Sequence, residues 1–377
     1  MNYETLLEYF ATEEISAIIG LVVGLTFGIF AQQSRFCLRA ACVEFWRGQT
    51  GKKFAIWLLA FSAAMIATQY FIGTGAIDTG QIRQLNNTGS MSGAIIGGLL
   101  FGAGMVLAGG CASRLLVLSA TGNMRTMVAG LVVTIVAQAS LRGGLSPLRE
   151  ELSSWWLVDG QSRSFASWLP PYGGLIIGIA LFLLGLWFAK RHQLSKWWGV
   201  AAVITGLSVA LGWLLTSLQA ANSFDIVAVK SVSFTGSSAD TLMGLINQPT
   251  LPLSFDVGLV PGVFLGSLLA ALVTHEFKWQ QFTSDSGFAR FFIGAALMGF
   301  GGMLAGGCAV GAGVTGGAIL VITAWVALFS MWIGAGITDW VVDRKADELK
   351  AAAAQVALMT ETNLPNFPKA PDSVRIG

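Results

Sequence analysis

The string Leu-Ala-Gly-Gly-Cys-Ala occurs twice, placing one thiol at Cys111 and another at Cys308. Counting back from each cysteine, glycine recurs one, two, seven, nine and fourteen residues earlier. The pairs Gly109–Gly110 and Gly306–Gly307 break a helix and leave backbone N–H and C=O groups without helical partners. The apolar stretches that follow, LLVLSATGN and VGAGVTGGA, are too short to cross a bilayer and read as half-helices. The N-terminus of such a half-helix carries free N–H donors and the positive end of the dipole, which suits an anion. A neutral thiol adds a weak S–H donor, and partial charges of this kind attract an anion yet release it, as conduction requires. Glycine every four residues is also an ordinary helix-packing surface, and a lone membrane cysteine is usually just a small apolar side chain. The duplication favours function, because packing alone does not require a thiol at the start of both half-helices.

A third thiol, Cys37, lies in GIFAQQSRFCLRAA, where an apolar span ends in a short polar run and restarts as another half-helix. Arg35 and Arg39 beside it are either anchors at a cytoplasmic membrane boundary or the lining of an anion entrance. Arg114, three residues after Cys111, is the one strong charge next to the hairpins. Cys42 has no matched context and is left out of the pathway. No Cys-x-x-Cys motif exists and the histidines are His192 and His275, so neither a metal nor another cofactor is expected and the thiols are read as free.

The elements that position these residues are set by composition. Apolar residues make up 54% of the chain and charged residues 11%, against about a quarter charged in ordinary soluble domains. The mean hydropathy of +0.68 is spread along the chain, which excludes a soluble domain on a single anchor. The net charge of +2 forms no basic stripe, so no nucleic-acid partner is implied. The acidic start MNYETLLEYFATEE lacks the features of a signal peptide and is expected to stay on the protein.

Apolar stretches near 15–32, 54–73, 91–109, 126–141, 171–189, 198–217, 257–275, 288–305 and 316–339 predict an all-α polytopic membrane protein with about nine transmembrane helices plus short re-entrant ones. With nine crossings, Arg39, Arg47, Lys52, Lys53, Lys190 and Arg191 fall on one face, while the longest loops, 142–170 and 218–256, face the other side. The positive excess puts the N-terminus outside and the C-terminus inside. The chain then divides into an N-terminal extension (1–14), a first membrane repeat (15–170), a second (171–340) and a polar cytoplasmic tail (341–377). A weaker echo links GLVVGLTFG at Gly20–Gly28 to GLVPGVFLG at Gly258–Gly266. Each half thus reads as a small-residue helix followed by a Gly-Gly-Cys hairpin, with the two hairpins following helices of opposite direction. Such inverted pseudo-symmetric halves are a transporter architecture.

Four segments carry a resemblance: RFC at Arg35–Cys37, LAGGCA at Leu107–Ala112, GVFLGSLLAA at Gly262–Ala271 and MGFGGMLAGGCAVGAGVTGG at Met298–Gly317. Over about residues 15–340 the chain resembles the YeeE/YedE family of inner-membrane sulfur transporters. The resemblance implies two inverted halves forming an hourglass, and Cys37, Cys111 and Cys308 along a narrow pathway touching thiosulfate as it passes. It also implies a small TusA-like sulfur-carrier protein as a partner on the cytoplasmic side. The chain departs from the family pattern at Arg114 and the segment SRLLVLSATGN. Sulfite or a selenium analogue is therefore the alternative substrate. Two other classes stand beside transport by a carrier: a passive channel, and a membrane thiol oxidoreductase or sulfur transferase. The last would need paired thiols, and the sequence shows no paired motif. Acids able to couple transport to an ion gradient are scarce, since Asp339 and Asp343 lie near the end of a span.

Overall fold

In the computed structural model of the chain, residues 11–170, 172–223, 225–247, 249, 251–280 and 288–344 are described. Most of the N-terminal extension and of the C-terminal tail expected from the sequence lies outside them. Nine helical stretches among the described residues are long and apolar enough to cross a membrane. In chain order the helices are α1 (Thr12–Ser34), α2 (Leu38–Trp46), α3 (Lys52–Gly73), α4 (Met91–Leu107), α5 (Ala112–Ala120), α6 (Met124–Arg142) and α7 (Ser146–Ser154). They continue with α8 (Gly173–Arg191), α9 (Lys196–Asn222), α10 (Thr235–Asn247), α11 (Phe255–Val273), α12 (Phe288–Leu304), α13 (Ala309–Gly316) and α14 (Ile322–Thr338). One small ladder, β1 (Gly89–Ser90) with β2 (Leu157–Val158), is antiparallel.

Small residues decide which helices meet. A Cβ on Gly20, Gly24 or Gly28 of α1 would sit 2.1, 2.5 or 2.3 Å from the carbonyl oxygens of Phe255, Leu259 or Val263. The glycines of α11 answer in kind, with Gly258, Gly262 and Gly266 against the carbonyls of Ala17, Leu21 and Leu25. Without a hydrophobic driving force in lipid, such close backbone approach is what holds membrane helices together. Residue numbers rise together along the contact, so α1 and α11 run parallel. Equivalent helices of inverted halves run in opposite directions, so the parallel run of α1 and α11 corrects the reading of the two glycine stripes as equivalent: they are packing partners in one direction.

The two Gly-Gly-Cys helices behave differently. α4 meets α12 with Gly93 against Leu304, Gly97 against Gly301 and Gly104 against Gly294, so numbers fall along one helix as they rise along the other and the pair is antiparallel. α4 also packs on α14, α12 on α6, and α3 on α8 and α9. The last span begins at Ile322 rather than at residue 316. Residues 309–316 wind more widely, as a π-helix, and a turn with Leu320 in the left-handed region separates them from α14.

Each face is pinned by polar contacts. On one, Thr12 donates to Asp225 at 2.8 Å, the amide of Asp78 to Ser217 at 3.3 Å, and Ile82 bridges to Val229. On the other, Arg47 pairs with Asp339, Arg290 with Asp343, and Lys278 meets Thr121. We call these the Thr12 face and the Arg47 face. Exposed aromatic residues cluster at both, with Tyr70, Trp155, Trp156, Trp168 and Tyr172 toward the first and Trp46, Trp187, Trp197, Trp279 and Trp340 toward the second. Amphipathic rings at two levels mark the two membrane interfaces.

Candidate functional site

Four short helices, α2, α5, α10 and α13, each follow a break after a long one. Three begin on a cysteine: Cys37 is the N-cap of α2, Cys111 of α5 and Cys308 of α13. At 1.5 Å per residue the nine residues of α5 reach about 14 Å, under half of a hydrocarbon core. The breaks are where the sequence places them. Gly109 and Gly306 take φ of 79° and 80°, and Gly307 takes 159°, all in the region that disfavours a side chain. Gly110 stays at negative φ, so of the four glycines it is the one whose dihedrals do not demand glycine.

All three thiols are free and buried. The Cys111 Sγ lies 3.3 Å from the Ser113 hydroxyl. The Cys308 Sγ accepts the Gly311 amide at 3.4 Å, so this thiol occupies one of the N–H groups its helix leaves open. The thiols of Cys37 and Cys111 lie close to each other. Three-dimensional packing thus supplies, from separate stretches of chain, a thiol pair absent as a sequence motif. Cys42, five residues further along α2, is fully buried.

Toward the Arg47 face the pair is followed by a polar network. Arg114 Nη1 donates to Gln32 Oε1 at 3.3 Å, Gln32 Nε2 donates to Glu276 Oε2 at 2.9 Å, and Arg35 Nη2 donates to Glu276 Oε1 at 3.1 Å. Arg114 lies near both Cys37 and Cys111 and is itself largely buried. Arg35 caps α1 in the left-handed region, is half exposed and lies over the Trp198 ring, so it stands at the surface end of this chain of contacts. Arg39 reaches the Gly109 carbonyl at 3.5 Å and Arg290 the Val106 carbonyl at 3.5 Å, a pair of cations at the C-terminal end of α4.

Sequence reasoning missed the segment before α10. The stretch 218–256 reads as an outer loop, but Ser231, Val232, Phe234 and Thr235 are buried, and the segment packs on the Cys308 hairpin through Val232, Ser233 and Thr235. Thr315 donates to the Val232 carbonyl at 2.6 Å, and a Cβ on Gly311 would lie 2.4 Å from the Ser233 hydroxyl. The available signal was the polar-apolar alternation SVSFTGSS, which is unusual for an exposed loop. Gln32, a buried amide inside an apolar span, was the signal for the Arg114 network.

A second buried polar group lies near the Thr12 face, where α11 begins. Asp256 accepts from Lys230 and, at 2.6 Å, from Ser237. Burial, with the Asp256 charge adding to it, raises Asp240 nearby above the ordinary carboxylate range.

The sequence is similar to those of known proteins. A profile described as sulphur transport matches residues 33–337. The chain is 28% identical to the thiosulfate transporter TsuA of Spirochaeta thermophila over 342 residues, covering 86% of this chain and 99% of that one. It is 27% identical to the thiosulfate transporter TsuA of Escherichia coli over 361 residues, covering 89% and 98%.

Proposed function

Because the chain belongs to the sulphur transport family, we propose that it carries thiosulfate inward across the cytoplasmic membrane. The observation that carries this reading is the set of three buried thiols, each at the start of a short helix, with Cys37 and Cys111 side by side. In the proposed path the anion meets Cys308 and the Gly306–Gly307 turn, then Cys111 and Cys37 with the Gly109–Gly110 turn. It leaves past Arg114 toward Gln32, Glu276 and Arg35. Half-helix N-termini attract the charge, and the thiols hand on the soft terminal sulfur. Arg114 beside the thiols is tied through Gln32 to Glu276, and dipoles and S–H donors bind the dianion transiently.

The short helices are read as re-entrant, and the repeats as two inverted halves, 15–170 and 171–340, with α8 as the helix that has no counterpart. The antiparallel contact of α4 with α12 supports this arrangement. The Thr12 face is assigned to the outside and the Arg47 face to the cytoplasm, where Arg39, Arg47, Lys52, Lys53, Arg290 and Arg344 gather. A TusA-like sulfur carrier would dock on that face and take the product.

Uptake of labelled thiosulfate into proteoliposomes tests the reading. Cys37→Ala, Cys111→Ala and Cys308→Ala are each expected to lower the initial rate at least tenfold. Unchanged rates in all three would remove the mechanism, and faster uptake of sulfite or a selenium analogue would move the substrate assignment.

A further inference from the structure

On the Thr12 face a cavity of about 510 Å³ opens directly onto Gly306, the turn that precedes Cys308. Among the described residues its charged lining is Arg83, Arg149, Arg163 and Lys230, with no carboxylate. Arg149 and Lys230 are paired outside it with Glu150 and Asp256. Among the described residues no acid pairs with Arg83 or Arg163.

Arg163 is 9% exposed, a degree of burial that a guanidinium rarely tolerates without a carboxylate. It is held by neutral acceptors instead. Nη1 donates to the Asn87 carbonyl at 2.6 Å and Nη2 to the Thr323 hydroxyl at 2.8 Å, while Nε is buried with no partner. Five N–H donors are available on a guanidinium, so donors and a full positive charge remain. Burial alone lowers its pKa from the ordinary arginine value, with no acid to offset it.

The surroundings are built for this side chain. A Cβ on Gly89 would lie 2.2 Å from the Arg163 guanidinium carbon, so the glycine of β1 makes its room. The chain just after Arg163 is tied to the Cys308 hairpin, since Ser164 bridges to Val321 and the Phe165 amide donates to the Leu320 carbonyl at 2.9 Å. The guanidinium is thus mounted on the end of the segment that Cys308 begins.

We propose that Arg163 is the seat of an anion-loading site for a divalent tetrahedral oxyanion in this cavity, one step ahead of Cys308. The proposal rests on the transport reading above and adds to it a site of a different kind. A fixed cation selects for charge and shape at the mouth, where the thiols deeper in select for the soft sulfur. Separation of the two explains how a dianion is concentrated at the mouth without being trapped at the narrowest point.

The test combines thiosulfate uptake over a concentration series with calorimetric thiosulfate binding to the purified protein, with sulfate as competitor and chloride at equal ionic strength as control. Arg163→Gln and Gly89→Ala are expected to raise the half-saturation concentration and the dissociation constant at least tenfold, with the maximal rate within twofold of the wild type. Arg163→Lys, which keeps the charge, falls between. Sulfate should displace thiosulfate from the wild type, and chloride should not. Unchanged half-saturation in Gly89→Ala together with either Arg163 variant overturns the site and leaves transport standing, as does a loss confined to maximal rate. Binding that depends on Arg163 without uptake by the wild type would overturn the transport reading and keep the site. If Arg163→Gln does not fold, Gly89→Ala and Arg163→Lys decide.

Discussion

Gly97 and Gly301 face each other reciprocally: a Cβ on Gly97 would lie 2.6 Å from the Gly301 carbonyl oxygen, and one on Gly301 would lie 2.7 Å from that of Gly97. Gly97 stands fourteen residues before Cys111 and Gly301 seven before Cys308. Gly104 and Gly294, seven and fourteen before the same cysteines, meet in the same way. The contact therefore exchanges equivalent positions of the two hairpins, as a two-fold axis through the α4–α12 crossing would.

Substitution at this crossing should be costly. Gly97→Val or Gly301→Val forces side-chain atoms into backbone and is expected to destabilise by more than the ~1–3 kcal/mol of ordinary overpacking. Gly130→Ala on α6, where a Cβ meets nothing within 4 Å, should be neutral or gain up to about 1 kcal/mol from helix propensity. Thermal unfolding in detergent, followed by tryptophan fluorescence, checks the contrast.

The Cys37–Cys111 pair should behave as a dithiol. Phenylarsine oxide, which bridges two neighbouring thiols with loss of water, is expected to block thiosulfate uptake in the wild type, and a dithiol reagent such as dimercaptopropanol to restore it. Cys37→Ser and Cys111→Ser should each lose the protection-reversible labelling, while Cys42→Ser should retain it. Equal arsenical labelling of all three variants, read by mass spectrometry, would place the thiols apart.

Asp339 is almost fully buried and takes a forked pair of hydrogen bonds from Arg47, Nη2 to Oδ1 at 2.8 Å and Nε to Oδ2 at 2.9 Å. Removing one partner of such a pair strands the other's charge. Arg47→Ala is expected to destabilise by about 3 kcal/mol, and Asp339→Asn by less, because the amide keeps an acceptor for Arg47. Denaturation midpoints in mixed detergent would show the order.

Asp240 gives a pH dependence with a defined sign. Its folded-state pKa is raised above the ordinary 3.8, so ionisation costs stability, in full above the folded-state pKa and not at all below the unfolded one. Asp240→Asn should therefore melt higher than the wild type at neutral pH. The difference should close as pH falls toward 3.8. A melting series from neutral to acid pH, in which the two proteins never differ, would contradict the assignment.

How much of this was legible beforehand follows the range of the interaction concerned. The glycine turns at Gly109 and Gly306 were readable, because left-handed backbone and a broken helix are properties of a few adjacent residues. The burial of residues 231–235 was not, because polar alternation in a long connection does not say what the connection packs against. Arg163 illustrates the same limit. In sequence it is one cation in an outer loop, and only its seat beside Gly89, Asn87 and Thr323 makes it a buried charge with no acid partner among the described residues.

Sequence alone determined that this chain lives in lipid, that about nine segments cross it, and that two of them end in matching Gly-Gly-Cys turns. Hydropathy, helix length and glycine dihedrals are local, so the string of residues carries them completely. Tertiary structure decided which glycine stripes are partners, that α1 and α11 run parallel while α4 and α12 do not, and that Cys37 lies beside Cys111. A small-residue stripe permits close approach to any neighbour in either direction, so only the packing of the whole bundle selects the partner and its sense.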